Sequence, residues 1–229
     1  MNLKGIIDED FVNYKKPSMY IAFPHCSFKC EKECSECCCQ NSTLATSPDI
    51  EITVDELCRR YLDNPISEAI VCGGMEPFDS YDDLIEFITS LRKEHDCNDD
   101  VVIYTGYTEN ECRKNNWLSK LFSLGNIIVK FGRYIPGQNP HHDEILGVKL
   151  ASDNQYACRL NISHALDPDK RYKVLCNIEN AERVRDILNE LELNLRFKVI
   201  PVDTGLYNIS DSIWFMEDGD NYVYQTTMR

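Results

Sequence analysis

The distribution of cysteine is the feature of this sequence that points most directly to chemistry. The chain has 12 Cys in 229 residues, and half of them fall in one short segment. The clustered residues are Cys26, Cys30, Cys34, Cys37, Cys38 and Cys39. A disulfide scaffold would spread its cysteines through a short secreted chain. A dense cluster of soft thiolate ligands instead favours metal or iron–sulfur ligation.

The overall composition narrows the class of protein. The chain carries 24 Lys+Arg against 38 Asp+Glu, a formal net charge of −14, and 43% hydrophobic residues. This is a globular composition, and its acidity argues against nucleic-acid or anionic-lipid partners, which need basic surface. No apolar run approaches the ~20 residues of a membrane span. The polar, acidic N-terminal sequence is not typical of a signal peptide, so we expect a cytoplasmic protein.

Strands and helices alternate along most of the chain. The predicted strands cover residues 19–23, 69–72, 101–104 and 126–131. The predicted helices cover residues 53–62, 80–95 and 108–121, and capping boxes Thr53-x-x-Glu56 and Thr108-x-x-Glu111 open the first and third. Continuous apolar strands between amphipathic helices are typical of right-handed βαβ units. We therefore expect an α/β fold, a partial (β/α) barrel of mostly parallel strands with helices on the outer face.

The sequence after residue 131 has a different pattern. Residues 132–160 form a long irregular stretch, and long loops of this kind are more often functional than accidental. A βαβ-like piece follows, with strands at 173–178 and 196–202 around a helix that carries Val184, Ile187, Leu188 and Leu191 on one face. The tail, 204–229, has no clear pattern. We expect one domain over 1–229, with a core of about 19–160 and an extra C-terminal part at 161–229.

Three of the predicted strands end in unusual sequence. The first continues into His25-Cys26 and the cysteine cluster, the second into Gly73-Gly74-Met75-Glu76-Pro77, and the third into Thr105-Gly106-Tyr107. In parallel α/β sheets, ligands bind beyond the carboxyl ends of the strands. If the three strands are adjacent and parallel, these segments meet at one edge of the sheet.

These segments give the sequence a resemblance to a known family. It resembles radical S-adenosylmethionine (SAM) enzymes, specifically the small activating proteins of anaerobic ribonucleoside-triphosphate reductase. The resemblance covers residues 20–160 and rests on the motifs Phe23-Pro24-His25-Cys26-x3-Cys30, Cys39-Gln40-Asn41, Gly73-Gly74-Met75-Glu76-Pro77, Tyr104-Thr105-Gly106-Tyr107 and Ser152-Asp153-Asn154-Gln155.

The cluster motif of that family is Cys-x3-Cys-x2-Cys, and this sequence departs from it. Cys30-x3-Cys34-x2-Cys37 has the spacing but leaves out Cys26, which follows the first strand. We prefer Cys26, Cys30 and Cys39 as ligands of a 4Fe-4S cluster, with an insertion before the third ligand. Cys38, Cys34 and Cys37 stay open as alternatives, and the surplus thiols could instead bind a second metal or form a thiol pair.

The resemblance also implies a reaction. The open iron of the cluster would chelate the amino and carboxylate groups of SAM, and reduction would release a 5′-deoxyadenosyl radical. The implied cofactor-binding residues, with no further catalytic side chain, are Gly73, Gly74, Met75, Glu76, Thr105, Gly106, Tyr107 and Asn154. The radical would oxidise a glycine in a large glycyl-radical enzyme such as anaerobic ribonucleotide reductase. A reduced flavodoxin or ferredoxin would supply the electron.

Other interpretations remain beside this one. The same chemistry could act on a different peptide or small molecule, or the chain could be a non-catalytic zinc or iron–sulfur protein. His141-His142-Asp143 has metal-binding residue types, but we interpret it as a solvated run in a polar loop. The six scattered cysteines are interpreted as small buried hydrophobic residues.

Overall fold

The chain divides into two compact units, Met1–Leu160 and Asn161–Arg229. The computed structural model describes residues 1–166, 171–190, 197–202, 212–217 and 222–227. The boundary between the units coincides with the start of the predicted extra C-terminal part. The assignment of residues 1–229 to one domain stays a prediction.

The first unit contains ten strands and six helices within the described residues. Its strands are β1 (Asn2–Leu3), β2 (Gly5–Asp10), β3 (Ser18–Phe23), β4 (Ile50–Glu51), β5 (Ala69–Gly74), β6 (Asp100–Tyr104), β7 (Ile127–Phe131), β8 (His141–Asp143), β9 (Val148–Leu150) and β10 (Tyr156–Arg159). Its helices are α1 (Lys29–Cys34), α2 (Ser42–Ala45), α3 (Val54–Leu62), α4 (Tyr81–Lys93), α5 (Glu109–Lys114) and α6 (Trp117–Ser123).

A six-stranded sheet, in the order β10-β7-β6-β5-β3-β2, organises this unit. Strands β3, β5, β6 and β7 pair in parallel. The edge strands β2 and β10 pair antiparallel with their neighbours. The predicted α/β fold with a mostly parallel sheet is confirmed. The described part of the chain shows no closed barrel, and this sheet is compatible with a partial one.

The parallel strands are mostly apolar because both faces of the sheet are buried. In β5, Ile70 and Cys72 face a large core that also contains residues of α3 and α4, such as Leu57 and Leu84. Val71 of the same strand faces a smaller core on the opposite side. Burial of each aliphatic side chain contributes about 1.5–3 kcal/mol, so the two layers fix the position of the strand ends.

The helix boundaries follow the predicted capping signals. Thr53 accepts a hydrogen bond from the Glu56 N–H at 3.2 Å, and the Glu56 carboxylate accepts one from the Thr53 N–H at 2.9 Å. Thr108 and Glu111 form the same reciprocal pair at the start of α5. The third predicted helix is, however, broken in two. Asn116 adopts a left-handed conformation (φ 57°) between α5 and α6, a conformation that Asn tolerates better than most residues.

Strands appear in two regions where no strand was predicted. The first ten residues contain β1 and β2, and 132–160 contains the β8–β9 hairpin and β10. Strand β2 ends in acidic residues, as edge strands often do, and this charge hides the alternation that a half-buried strand would show.

The second unit contains a four-stranded sheet of its own. Its described elements are α7 (Ile162–Ala165), β11 (Tyr172–Asn177), α8 (Ala181–Glu190), β12 (Phe197–Val202), β13 (Ser212–Glu217) and β14 (Tyr222–Thr227), and the strand order is β12-β11-β13-β14. The parallel pairing of β11 and β12 confirms the predicted βαβ piece. Leu191 and Arg196, at its predicted boundaries, lie outside the described residues. In the tail, the structure places β13 and β14.

Within the described ranges, no helix combines the length and apolar character that a bilayer span requires.

Candidate cofactor site

Backbone hydrogen bonds join the three unusual strand ends at one edge of the sheet. Phe23 of β3 is in register with Gly74 of β5. Beyond the strands, the Glu76 N–H donates to the His25 carbonyl at 2.7 Å. The Thr105 N–H donates to the Lys130 carbonyl at 2.9 Å, which ties the end of β6 to β7. The cysteine segment and the two turns therefore lie side by side.

A cavity of about 340 Å³ opens at this edge. This volume lies within the range of small-molecule and cofactor sites, ~300–1,000 Å³. One wall of the cavity consists of cysteine thiols and of the polar residues that follow them in sequence. The turns after β5 and β6 form a second wall, and the 132–160 segment forms a third. The lining residues include Cys26, Cys30, Cys38, Cys39, Asn41, Gly73, Gly74, Met75, Glu76, Thr105, Gly106, Lys130, Arg133, Lys149 and Gln155.

The second glycine of the turn after β5 is required by its backbone. Gly74 has φ +82°, and a Cβ there would lie 2.6 Å from the Cα of Ala22. Its N–H donates to the Tyr20 hydroxyl at 2.6 Å, and its carbonyl accepts from the Asn41 side chain. Glycine permits both the left-handed conformation and the close approach of two strands. The turn thus presents backbone, without side chains, to the cavity.

Glu76 connects the turns after β5 and β6. Its carboxylate accepts hydrogen bonds from the Thr105 hydroxyl at 2.8 Å and from the Gly106 N–H at 2.8 Å. The Phe78 N–H donates to it at 3.1 Å. Only 6% of Glu76 is exposed, and this burial raises its pKa to about 7 despite the three donors. The Glu76 carboxyl group is thus a titratable group that lies between the two turns at the cavity wall.

Four of the clustered cysteines line the cavity: Cys26, Cys30, Cys38 and Cys39. Burial raises the pKa of Cys26 to about 11, and the nearby Cys30 thiol contributes to the shift. Burial also raises the pKa of Cys30, and the next largest cause is Cys39. Cys30 is therefore close enough to both Cys26 and Cys39 to interact with them electrostatically.

This donor set fits an iron–sulfur cluster. Among the described residues, no three His, Cys, Asp or Glu side chains converge as ligands of a single metal ion. A four-iron cluster is larger than one ion and binds each thiolate through a different iron, so thiols spread over a wall suit it. Because ligation requires thiolates, loading of the cluster releases protons from these groups.

The other two clustered cysteines lie away from the cavity lining. Cys34 ends α1, and its sulfur lies 2.7 Å from the sulfur of Cys38. Cys37 is exposed. The choice of Cys39 over Cys38, Cys34 or Cys37 as third ligand stays a prediction, although only Cys38 shares the cavity wall with it.

Asp79 and Tyr107 hold the backbone beside Cys26. The Ser27 N–H and the Tyr107 hydroxyl both donate to the Asp79 carboxylate at 2.5 Å. Tyr107 packs edge-on against Trp117, with ring centroids 5.1 Å apart, and the Lys29 ammonium lies 4.1 Å from the Tyr107 ring centroid. Tyr107 is thus placed behind the cysteine segment and outside the cavity lining.

Asn154 has a similar supporting position. Its amide nitrogen donates to the Arg133 carbonyl at 2.9 Å, and its side-chain oxygen is buried with no hydrogen-bond partner among the described residues. The neighbouring Gln155 lines the cavity instead, and its amide donates to the Gly132 carbonyl at 3.2 Å. Of the predicted cofactor-binding residues, the cavity lining therefore includes all except Tyr107 and Asn154. Their roles stay predictions.

Two buried cations at the cavity are absent from the sequence predictions. Lys130 is 6% exposed, donates to the Gly132 carbonyl at 2.8 Å, and has its pKa lowered to about 8 by burial. Arg133 is 8% exposed and pairs with Glu111 at 2.6 Å. The signal for Lys130 is a lone charge in the apolar strand β7, whereas nothing local marks Arg133.

The interpretation of His141-His142-Asp143 as a solvated run is wrong for Asp143. Its carboxylate is buried and accepts hydrogen bonds from the N–H groups of Ile145, Leu146 and Ala157 at 2.8–3.0 Å. Asp143 thus fixes the β8–β9 turn against β10. Among the scattered cysteines, Cys58, Cys72, Cys97, Cys112 and Cys176 are buried as predicted, and Cys158 is half-buried.

Comparison with known protein families supports an iron–sulfur cluster in this chain. Residues 20–155, more than half of the chain, match the family model of the 4Fe-4S single cluster domain. The chain belongs to this family, which supports the predicted 4Fe-4S cluster. No curated protein and no solved structure matches the chain. The matched range contains every residue of the cavity lining named above, including the turns that adjoin the thiols.

Proposed function

We propose that this protein is a radical SAM enzyme that generates a glycyl radical on a partner such as anaerobic ribonucleotide reductase. One observation carries the proposal: the thiols and the Gly73-Gly74 and Thr105-Gly106 turns line the same cavity. A protein that only transferred electrons, or that only bound a structural metal, would not need a cofactor-sized cavity beside its thiols. Membership of the 4Fe-4S single cluster domain family supports the metal component of the proposal.

Cys26, Cys30 and Cys39 would hold the cluster, and the space between them and the turns would hold SAM. Bound there, SAM would accept one electron through the cluster and separate into methionine and a 5′-deoxyadenosyl radical. The protein binds and orients the reactants and excludes water.

The turn after β5 suits the methionyl part of SAM. Its glycine backbone allows an approach that side chains would block, and Asn41 fixes its carbonyl orientation. Lys130 supplies a positive charge in the cavity lining and uses one of its three donors on the Gly132 carbonyl. An ammonium with free donors in a buried wall favours the carboxylate of SAM.

Glu76 has a positioning role in this proposal. Because its oxygens already accept three hydrogen bonds from the protein, it fixes the spacing between the methionyl and adenosyl subsites. Its charge also offsets that of Lys130, whose pKa it raises against the effect of burial.

Anaerobic reconstitution tests the proposal. The protein is loaded with iron and sulfide, reduced with dithionite and incubated with SAM, and 5′-deoxyadenosine is measured by chromatography and mass spectrometry. We expect cleavage in the wild type and in Cys37→Ser, an exposed control, but none in Cys30→Ser. Cluster-loaded protein that yields no 5′-deoxyadenosine would overturn the proposal, as would purification with zinc and no iron or sulfide.

A second candidate keeps SAM cleavage but changes the target. The unit Asn161–Arg229 has its own sheet and lies beyond the family match, so it is a candidate binding element for a different peptide. Electron paramagnetic resonance separates the two candidates. A glycyl radical signal on an anaerobic reductase favours the first, and SAM cleavage without that signal favours the second.

A further inference from the structure

We propose that Cys34 and Cys38 form a reversible dithiol–disulfide site that is separate from the cluster ligands. The carrying observation is the distance of 2.7 Å between their sulfur atoms. A disulfide bond has an S–S length of ~2.05 Å, so a small movement converts this contact into a bond.

The local backbone brings the two thiols together. Cys34 is the last residue of α1, and Ser35 follows it in a left-handed conformation, with φ 57° and ψ 25°. This residue reverses the chain, and the Cys38 N–H donates to the Glu36 carbonyl at 2.9 Å to close the turn. The Cys34 thiol is also 3.3 Å from the Glu36 carbonyl. The pairing is thus built by a capped helix end and a closed turn.

The same turn excludes the neighbouring thiol from the pair. Cys37 is exposed, whereas Cys34 and Cys38 are both partly buried. Cys39, one residue further, lines the cavity, and no contact between its sulfur and that of Cys34 or Cys38 occurs among the described residues. The segment 34–39 thus contains a facing thiol pair, Cys34 and Cys38, together with the exposed Cys37 and the candidate ligand Cys39.

The reaction is thiol–disulfide exchange with a low-molecular-weight disulfide such as oxidised glutathione. One protein thiolate attacks that disulfide and releases one glutathione thiol. The second protein thiol then displaces the other glutathione, so two protein thiols become one disulfide and two glutathione thiols form. Because the two protein thiols already touch, the second step has a high effective concentration.

The disulfide has a consequence for the cavity. Once bonded to Cys34, Cys38 cannot ligate iron, and the thiols lining the cavity are then Cys26, Cys30 and Cys39. The disulfide also closes a small ring immediately before Cys39. The disulfide therefore constrains the segment that carries Cys39, the third preferred ligand.

Peptide mapping tests the proposal on the full chain. Cluster-loaded protein is treated anaerobically with oxidised glutathione, free thiols are alkylated in denaturant, and the chain is cleaved after glutamate. Cleavage after Glu36 places Cys34 and Cys38 on different peptides, so mass spectrometry detects their link. We expect this link to predominate while the iron content and cluster absorbance are retained.

Variants identify the partners in the link. We expect Cys37→Ser to keep it, and Cys34→Ser and Cys38→Ser each to lose it while leaving the bound iron unchanged. A stable glutathione adduct without the link, a link through Cys37 or Cys39, or loss of the cluster on oxidation would each overturn the proposal. This readout does not depend on SAM cleavage, so it stands apart from the outcome for the proposed function.

Discussion

Glu76 and Lys130 are the two residues whose chemistry depends most on where the fold has buried them. Both line the cavity and both are nine-tenths buried, yet they carry opposite charges. Burial disfavours the charged form of each, so the pKa of Glu76 rises to about 7 and that of Lys130 falls to about 8. Each group can therefore be tested by a substitution that removes its charge and keeps its shape.

Glu76→Gln should alter the pH dependence of stability. The pKa of Glu76 rises from 4.5 to about 7, so the folded protein holds this proton more tightly than the unfolded chain does. Protonated Glu76 therefore stabilises the folded state. This contribution is present in full below about pH 4.5 and is lost as pH rises to about 7. We expect the free energy of unfolding of the wild type, relative to Glu76→Gln, to fall by up to about 3 kcal/mol between pH 5 and 8.

Urea denaturation of the metal-free protein at both pH values provides this measurement. Glu144→Gln is the matched control, because Glu144 is an exposed glutamate, and it should follow the wild-type profile. A constant difference between the wild type and Glu76→Gln at all pH values would contradict the prediction.

Lys130→Met should weaken SAM binding to the cluster-loaded protein. A hydrogen bond to a charged group contributes about 1.5–3 kcal/mol, so we expect binding weaker by roughly 10- to 150-fold. Anaerobic equilibrium dialysis with labelled SAM measures the dissociation constant. Lys149→Met is the control, since Lys149 also lines the cavity but is exposed. Equal losses in the two variants would mean that Lys130 has no specific contact with SAM.

At the scale of elements, the approach of β3 to β5 depends on one glycine. Gly74→Ala combines a left-handed backbone with a contact of 2.6 Å to Ala22, whereas Gly137 has a similar φ of +80° with open space around it. We expect Gly137→Ala to cost about 1–2 kcal/mol from the backbone alone. Gly74→Ala should cost a further ~1–3 kcal/mol from the overlap, measured as the free energy of unfolding. An equal loss of unfolding free energy in the two variants would show that β3 and β5 can move apart easily.

Arg133 attaches the cysteine-bearing helix α1 to the core. It pairs with Glu33 of α1 at 3.3 Å and with Glu111 of α5 at 2.6 Å. Arg133→Met should leave Glu111 without this buried partner and speed amide hydrogen exchange in residues 29–34. Arg113→Met is the control, because Arg113 pairs with Glu109 within α5. Unchanged exchange in 29–34 would assign the position of α1 to other contacts, such as Lys29 on Tyr107.

These elements also show what the sequence could predict. Capping boxes and apolar periodicity are local signals, so α3, α5 and the parallel strands were predictable within a few residues. The Gly73-Gly74 turn was predictable because few residues permit its backbone. The role of Arg133 was not predictable, because its partner Glu33 lies far away in sequence. The position of Tyr107 behind the cysteines that line the cavity was not predictable either. Contacts of this kind arise only when distant segments pack.

At the scale of the whole molecule, the chemistry and the remaining surface belong to different units. All the cavity-lining residues lie in Met1–Leu160, as does the family match. The unit Asn161–Arg229 has a sheet whose strands pair only with one another among the described residues. The proposed function therefore requires that the first unit cleave SAM, and leaves recognition of a protein partner as the task available to the second.

A fragment of residues 1–160 should separate these tasks. Because its cores are complete within the first unit, we expect it to fold, to bind iron and sulfide as the full chain does, and to release 5′-deoxyadenosine from SAM. Installation of a glycyl radical on an anaerobic reductase, followed by electron paramagnetic resonance, should fall strongly in the fragment relative to the full chain. A fragment that installs the radical as well as the full chain would remove the second unit from partner recognition. A folded fragment that binds the cluster but does not cleave SAM would show that residues beyond 160 complete the cofactor site.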